Sequence, residues 1–291
     1  MHLLYPNLHL QRRQNNNDKD ATTSTVKSTT SATATTSKAS LQTETKTTQA
    51  PFVVPQPFDT SLSNNFTQPC ASFWRRLLSD EKFRNCHPLS LMLQTSNSFF
   101  QASRSYVRIT QTLEATCAAN VTVCTNIMGG LARELVADGN CAVDYTSDNP
   151  QVLQAYNGLV AYEPLYQASC LKDKEGSYCY ANAATNTTNT AVTGDSYPYY
   201  LPLGQSLQPG TRPTCNKCLQ DAMAIFSSFA GNTTQPISKT YNAAAAQIQI
   251  GCGPSFVNKT ATPLKGAAST TTASIAPTLT LMLMLFLFLF Q

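Results

Sequence analysis

The sequence predicts a small, mainly α-helical domain held by disulfides, with irregular loops and one short hairpin, flanked by disordered Ser/Thr-rich tails. Three observations predict it. All ten cysteines of the 291-residue chain lie between Cys70 and Cys252. Apolar residues in the same region recur every three or four positions, which is the period of a helix. Residues 21–50 contain 17 Ser or Thr and no aromatic residue, and such a composition cannot bury enough apolar surface to fold.

Caps and apolar stripes place the elements. Helices are predicted at about residues 71–78, 89–103, 121–135, 150–166, 214–229 and 237–252. Asn149 and Pro150 suit the cap and first turn of the fourth helix, and Thr214 can cap the fifth. Glu163-Pro164 marks a helix boundary, because a residue before proline avoids α geometry. A hairpin is predicted at residues 172–180, with its turn at Glu175-Gly176.

The chain divides into four parts by composition. Residues 1–63 form a Ser/Thr-rich stalk suited to O-glycosylation, and residues 64–258 form the cysteine-rich domain. Residues 259–278 are a linker, and residues 279–291 are a hydrophobic tail. The net charge is +4, yet residues 70–252 carry no net charge, which argues against a nucleic-acid partner. Only one of three histidines, His87, lies in that region, so no metal site and no cofactor is predicted.

The C-terminal tail has the pattern of a glycosylphosphatidylinositol (GPI) attachment signal. Twelve residues, 279–290, carry no charge and would reach roughly 18 Å as a helix, short of the ~30 Å hydrocarbon core. A ten-residue polar spacer, 269–278, and the small triplet Gly266-Ala267-Ala268 precede it. Small residues, spacer and apolar tail together predict lipid attachment at Gly266, with Ala268 as the nearest competitor. A tail-anchoring helix is the alternative.

The N-terminal residues of the sequence do not have the pattern of a secretory signal peptide. Residues 1–14 lack the apolar run of about 7–15 residues that a signal peptide needs. We therefore expect either that the native chain starts further upstream or that entry uses an unusual signal.

The cysteines predict an oxidised framework. Their number is even, and the entry into the secretory pathway that the tail implies favours five disulfides with no free thiol. One pairing, Cys170–Cys179, is predicted specifically, because the turn between them would bring them together. Five Asn-x-Thr sequons predict N-glycosylation. Their asparagines are Asn65, Asn120, Asn186, Asn232 and Asn258.

Cys215-x-x-Cys218 admits three interpretations. A redox pair needs a preceding strand, and a zinc site needs a second pair with matching spacing. Neither is present in the sequence. Cysteines three apart share one helix face, so each sulfur is predicted to join a different neighbour in a structural disulfide.

The order of the cysteines and their neighbours carries a family resemblance. The motifs are Cys70-x-x-Phe73-Trp74, Cys86-x-Pro88-Leu89, Cys117, Cys124, Cys141, Tyr156, Glu163-Pro164-Leu165, Cys170-x-Lys172-Asp173, Tyr178-Cys179, Cys215-x-x-Cys218 and Cys252. Over about residues 64–258 this order resembles a fungal family of cysteine-rich, GPI-anchored surface proteins that is defined by a domain of unknown function. The resemblance implies a fungal cell surface or wall with N- and O-glycans. It supplies no catalytic residue.

Enzyme chemistry finds little support. Gly194-Asp195-Ser196 resembles an esterase nucleophile block, but no histidine follows His87. A glycosidase needs only two carboxylates, and nothing in the sequence marks a pair among the available ones. They include Glu114, Glu134, Glu163 and Asp221.

Tyrosines provide the one candidate ligand loop. Tyr197, Tyr199 and Tyr200 lie between Gly194 and Pro202 and could stack on sugar rings or on a protein surface. Packing onto the underlying helices is the alternative. The sequence thus predicts a structural or adhesive surface glycoprotein, held at the membrane by a lipid. Wall polysaccharide or surface proteins are its expected partners, and a carbohydrate-binding module or wall-remodelling hydrolase is the alternative function.

Overall fold

The computed structural model of the protein describes residues 52–60, 62–63, 65–186 and 194–261. Most of the predicted stalk, the predicted attachment site Gly266 and the hydrophobic tail lie outside these residues. Among the residues described, no helix has the length and apolar content needed to cross a bilayer.

The described chain is mainly helical, as predicted. Its α-helices are α1 Gln68–Ser79, α2 Glu81–Arg84, α3 Leu89–Thr95, α4 Asn97–Ala102, α5 Tyr106–Ala118, α6 Val121–Leu135, α7 Ala142–Thr146, α8 Pro150–Val160, α9 Tyr162–Ser169, α10 Cys179–Thr185, α11 Lys217–Ala230 and α12 Tyr241–Cys252. Two 3₁₀ helices, Tyr197–Leu203 and Pro236–Lys239, complete the described elements. The predicted hairpin is reduced to a single antiparallel bridge between Lys172 and Tyr178.

Side-chain caps explain where several helices begin. The Asn149 carboxamide accepts a hydrogen bond from the Gln151 amide, and Pro150 follows as the first residue of α8. Asn216 rather than Thr214 caps α11, because its Oδ1 accepts from the Leu219 amide at 2.8 Å. Glu163-Pro164 lies in the first turn of α9, where proline removes no helical hydrogen bond.

Two hydrophobic clusters form the core. The first surrounds Trp74, whose ring lies 4.6 Å from Phe58 and 5.6 Å from Phe66 between centroids. The second contains Tyr180, whose ring meets Tyr199 edge-on at 4.8 Å. Since each of these aromatic side chains buries a large apolar area, the clusters supply the main non-covalent stabilisation of the short helices.

The packed region includes residues 52–60, upstream of the predicted start at residue 64. Phe58 is buried, and its amide donates to Thr95 Oγ1 at 3.1 Å. The Asp59 carboxylate accepts hydrogen bonds from the amides of Asn97 and Ser98 at the start of α4. This proline-rich segment therefore belongs to the folded domain rather than to a free stalk.

All ten cysteines are paired, which confirms the oxidised framework. The disulfides are Cys70–Cys141, Cys86–Cys124, Cys117–Cys170, Cys179–Cys218 and Cys215–Cys252. As predicted, Cys215 and Cys218 bond to different neighbours.

The predicted Cys170–Cys179 pairing is wrong, although the turn between these cysteines does form. The Cys179 amide donates to the Leu171 carbonyl at 2.8 Å, so the two backbones are close. Cys170 caps the end of α9, whereas Cys179 begins α10. Each sulfur follows the packing of its own helix and bonds to a partner on another helix, Cys117 on α5 or Cys218 on α11.

Candidate functional site: an aromatic cleft

An open cleft of about 400 Å³ lies between α4, α10 and the 3₁₀ helix Tyr197–Leu203. Aromatic side chains and a cation line it, among them Phe100, Arg104, Tyr180, Tyr197 and Tyr200. Serine and glutamine side chains from the loop after the 3₁₀ helix add hydrogen-bonding groups.

The structure divides the predicted tyrosine loop between this cleft and the core. Tyr197 is 45% exposed, and Tyr200, half-buried, also lines the cleft. Tyr199 is only 3% exposed and packs edge-on against Tyr180 and Phe226. The reason is geometric: a 3₁₀ helix has three residues per turn, so residues 197 and 200 share one face while residue 199 faces elsewhere. Two of the three tyrosines are thus available to a ligand.

Gly194 gives the Tyr197 ring its position. A Cβ at residue 194 would lie 2.6 Å from Tyr197 Cδ2 and 2.9 Å from Thr211 Cγ2. Both distances are shorter than side chains tolerate, and the backbone φ of +49° also favours glycine. The glycine therefore allows the ring to lie directly against the loop.

Phe100 and Arg104 are two exposed residues of the cleft that sequence reasoning missed. Phe100 is 57% exposed, and the Arg104 guanidinium carbon lies 5.6 Å from the centre of its ring. Their spacing of four places them on successive turns at the end of α4 and just beyond it. An exposed phenylalanine beside an arginine is a weak signal in a sequence, because single exposed apolar residues are common.

The chemistry of the cleft suits a ring with both apolar and hydroxylated faces. Aromatic side chains offer flat apolar surfaces, and Arg104 offers several N–H donors. Burial raises the pKa of Tyr200, with a smaller effect from Tyr197, so its hydroxyl remains protonated and neutral at ordinary pH. Its Oη donates to the Leu93 carbonyl at 3.5 Å, which fixes the ring on the cleft wall.

A second, larger cleft of about 640 Å³ is lined by four carboxylates, and two of them, Asp173 and Asp195, hold loops of the fold. Asp195 accepts from the Thr214 amide at 2.6 Å and from the Asn186 carboxamide at 2.7 Å. Asp173 accepts from two amides of its own turn and from the Asn182 carboxamide at 2.7 Å. These hydrogen bonds assign both aspartates to holding loops. Within the described part of the chain, no group of three His, Cys, Asp or Glu side chains is placed to hold a metal.

His87 occupies a turn beside the Cys86–Cys124 disulfide. Its backbone has a φ of +41°, and burial lowers the pKa of its imidazole. Its carbonyl accepts from Thr116 Oγ1 at 3.1 Å, which ties the turn to α5.

The predicted glycosylation sites differ in their accessibility. Asn65, Asn120, Asn232 and Asn258 are exposed, whereas Asn186 is half-buried and its amide nitrogen donates to Asp195. Asn120 caps α6 through Oδ1, which accepts from the Val123 amide at 3.1 Å. Its Nδ2, the atom that carries a glycan, is not used in that cap.

Comparison with known proteins yields a family but no described relative. No curated protein and no solved structure matches the chain. A family model described as a domain of unknown function, DUF7729, matches residues 53–261. The match begins at the packed segment before α1 and includes all five disulfides. Since it spans more than half of the sequence, the chain belongs to the family defined by that domain of unknown function.

Proposed function

We propose that the protein is a GPI-anchored glycoprotein of the fungal cell surface or wall, and that its disulfide-bonded domain acts in adhesion by binding carbohydrate. The aromatic cleft carries the binding part of this proposal. Its Tyr197 and Phe100 rings are 45% and 57% exposed beside Arg104. Large aromatic side chains are usually buried, and here two of them line one cleft.

The proposed surface location is supported by the disulfides, the sequons and the apolar tail rather than by the cleft. Five disulfides and no free thiol among the described residues fit an oxidising compartment. Four exposed sequon asparagines fit glycosylation in the same route. The apolar tail with Gly266 upstream fits a lipid anchor.

Binding is tested by titrating the protein with wall glucans, mannan and chitin oligosaccharides. Tyr197→Ala and Phe100→Ala should each weaken binding by about threefold to tenfold, which is the usual contribution of one aromatic contact. Tyr106→Ala is the matched control, because Tyr106 is 43% exposed but does not line the cleft. A wild-type protein that binds none of these glycans would remove the carbohydrate proposal.

Anchoring is tested separately. Phosphatidylinositol-specific phospholipase C should release the membrane-bound fraction, and bulky substitution of Gly266 and Ala268 together should retain the precursor inside the cell. A surface protein that keeps its Phe290-Gln291 end in mass spectra carries a transmembrane tail instead.

A further inference from the structure

The aromatic cleft carries a single charged side chain. Among its described lining residues, Arg104 is the only one of the types Asp, Glu, Lys, Arg and His. The other polar lining groups are neutral hydroxyls and carboxamides, such as those of Ser206 and Gln208. Residues 187–193, which precede the loop at Gly194, contain no charged residue in the sequence. The cleft therefore presents one positive charge, and none of the carboxylates that the structure describes lines it.

Two carboxylates belong to segments next to the cleft, and the fold engages both of them elsewhere. Asp195 lines the larger cleft, and its oxygens accept hydrogen bonds from the amide and the hydroxyl of Thr214. Asp59 accepts from two amides at the start of α4, whereas Arg104 lies just beyond the other end of that helix. Neither aspartate forms an ion pair with Arg104, so the charge of the cleft is not cancelled within the described protein.

The Arg104 guanidinium is available to a ligand. Its side chain is exposed, and in the part of the chain that the structure describes it makes no ion pair. Its guanidinium carbon lies 5.6 Å from the centre of the Phe100 ring, within the range of a cation–π contact. Such stacking uses the flat face of the guanidinium and leaves its fork of N–H donors free. That fork matches the paired oxygens of a carboxylate or a phosphate.

We propose that the aromatic cleft selects a sugar that carries an anionic group, and this inference rests on the carbohydrate binding proposed above. The sugar ring stacks on Tyr197 and Phe100, and its carboxylate or phosphate bonds to Arg104. The neutral hydroxyls and carboxamides of the wall are left for the hydroxyls of the sugar. Because Arg104 is exposed, its contribution is modest. The anionic sugar should bind about threefold to tenfold more tightly than its neutral counterpart.

The test compares sugars that differ only at carbon 6. The probes are D-glucose, D-glucuronate and D-glucose 6-phosphate, with the corresponding mannose compounds. Saturation-transfer NMR and calorimetry on the full-length, oxidised protein in detergent should show the preference for an anionic member of each set. The preference should shrink as the salt concentration is raised, because ions screen an exposed charge. The carboxylate and phosphate members show which anion the cleft prefers.

Arg104→Gln should abolish the preference and leave the affinity for the neutral sugars nearly unchanged. Arg108→Gln is the matched control, because Arg108 is also exposed but does not line the cleft. This variant removes the same charge from the protein and should keep the preference. Both substitutions are on the surface, so the melting temperature should change little in either variant.

Equal affinities for neutral and anionic sugars, both weakened by Tyr197→Ala, would overturn the charge preference and leave the proposed function standing. A preference that Arg104→Gln and Arg108→Gln reduce alike would also overturn it, since net charge alone would explain it. Inorganic phosphate that binds as tightly as the sugar phosphates, with no effect of Tyr197→Ala, would show an anion contact without sugar recognition and overturn it as well. So would failure of all these sugars to bind, whereas the wall polymers decide the proposed function separately.

Discussion

Cys170 bonds to Cys117, and Cys179 bonds to Cys218. The number of free thiols in double variants tests this connectivity. Replacing Cys117 and Cys170 together by alanine removes one complete disulfide and leaves no free thiol. Replacing Cys170 and Cys179 together breaks two disulfides and leaves Cys117 and Cys218 unpaired. A direct Cys170–Cys179 bond would reverse both results.

The stability losses differ as clearly as the thiol counts. Cys117–Cys170 spans 53 positions and Cys179–Cys218 spans 39. In the chain-entropy description these loops contribute about 4.1 and about 3.9 kcal/mol at 25 °C. Since the two loops do not overlap, the Cys170/Cys179 variant should lose about 8 kcal/mol. A local bond across nine positions would contribute only about 2.6 kcal/mol. A loss of 8 kcal/mol is comparable to the whole stability of a typical domain.

The assay combines alkylation of the native, non-reduced proteins with urea unfolding. Mass spectrometry should find two alkylated thiols in the Cys170/Cys179 variant and none in the Cys117/Cys170 variant. The first should be largely unfolded, and the second folded but weaker by about 4 kcal/mol. A Cys170/Cys179 variant that is folded, without reactive thiols and weaker by less than 3 kcal/mol would refute the connectivity.

Three further predictions concern packing, backbone space and protonation. Tyr199→Ala should lower the free energy of unfolding by about 3–5 kcal/mol in urea titrations, because it empties a core site. Tyr197→Ala should change it by less than about 0.5 kcal/mol. Similar losses for both variants would contradict the assignment of Tyr199 to the core and Tyr197 to the cleft. Gly158→Ala should cost about 1–3 kcal/mol in the same titrations, because its Cβ would lie 2.4 Å from Leu91 Cδ2. Burial lowers the pKa of His87, so the unfolded chain takes up the proton first, and stability falls as the pH drops below 6.5. The melting temperature should fall less in His87→Asn than in the wild type between about pH 7.5 and about pH 5.5, and asparagine tolerates the positive φ.

Several helices were predictable because their signals are local, whereas α2, α5, α7 and α10 were not predicted. Asn149 and Pro150 mark the start of α8 within two residues, and the apolar stripe behind them needs no partner to be recognised. The same local reasoning failed at Cys170 and Cys179. Closeness along the chain suggested a bond, but the direction of each cysteine is set by the helix that carries it. Those directions depend on tertiary packing, which a single sequence does not express.

The aromatic cleft was predictable only in part. Three tyrosines in a short segment predicted a ligand-binding loop. Which of them face the cleft depends on the 3₁₀ geometry of Tyr197–Leu203. A β-like alternation would have grouped Tyr197 with Tyr199, whereas three residues per turn groups it with Tyr200. Phe100 reaches the cleft from α4, nearly a hundred positions earlier, and nothing near it in the sequence indicates this.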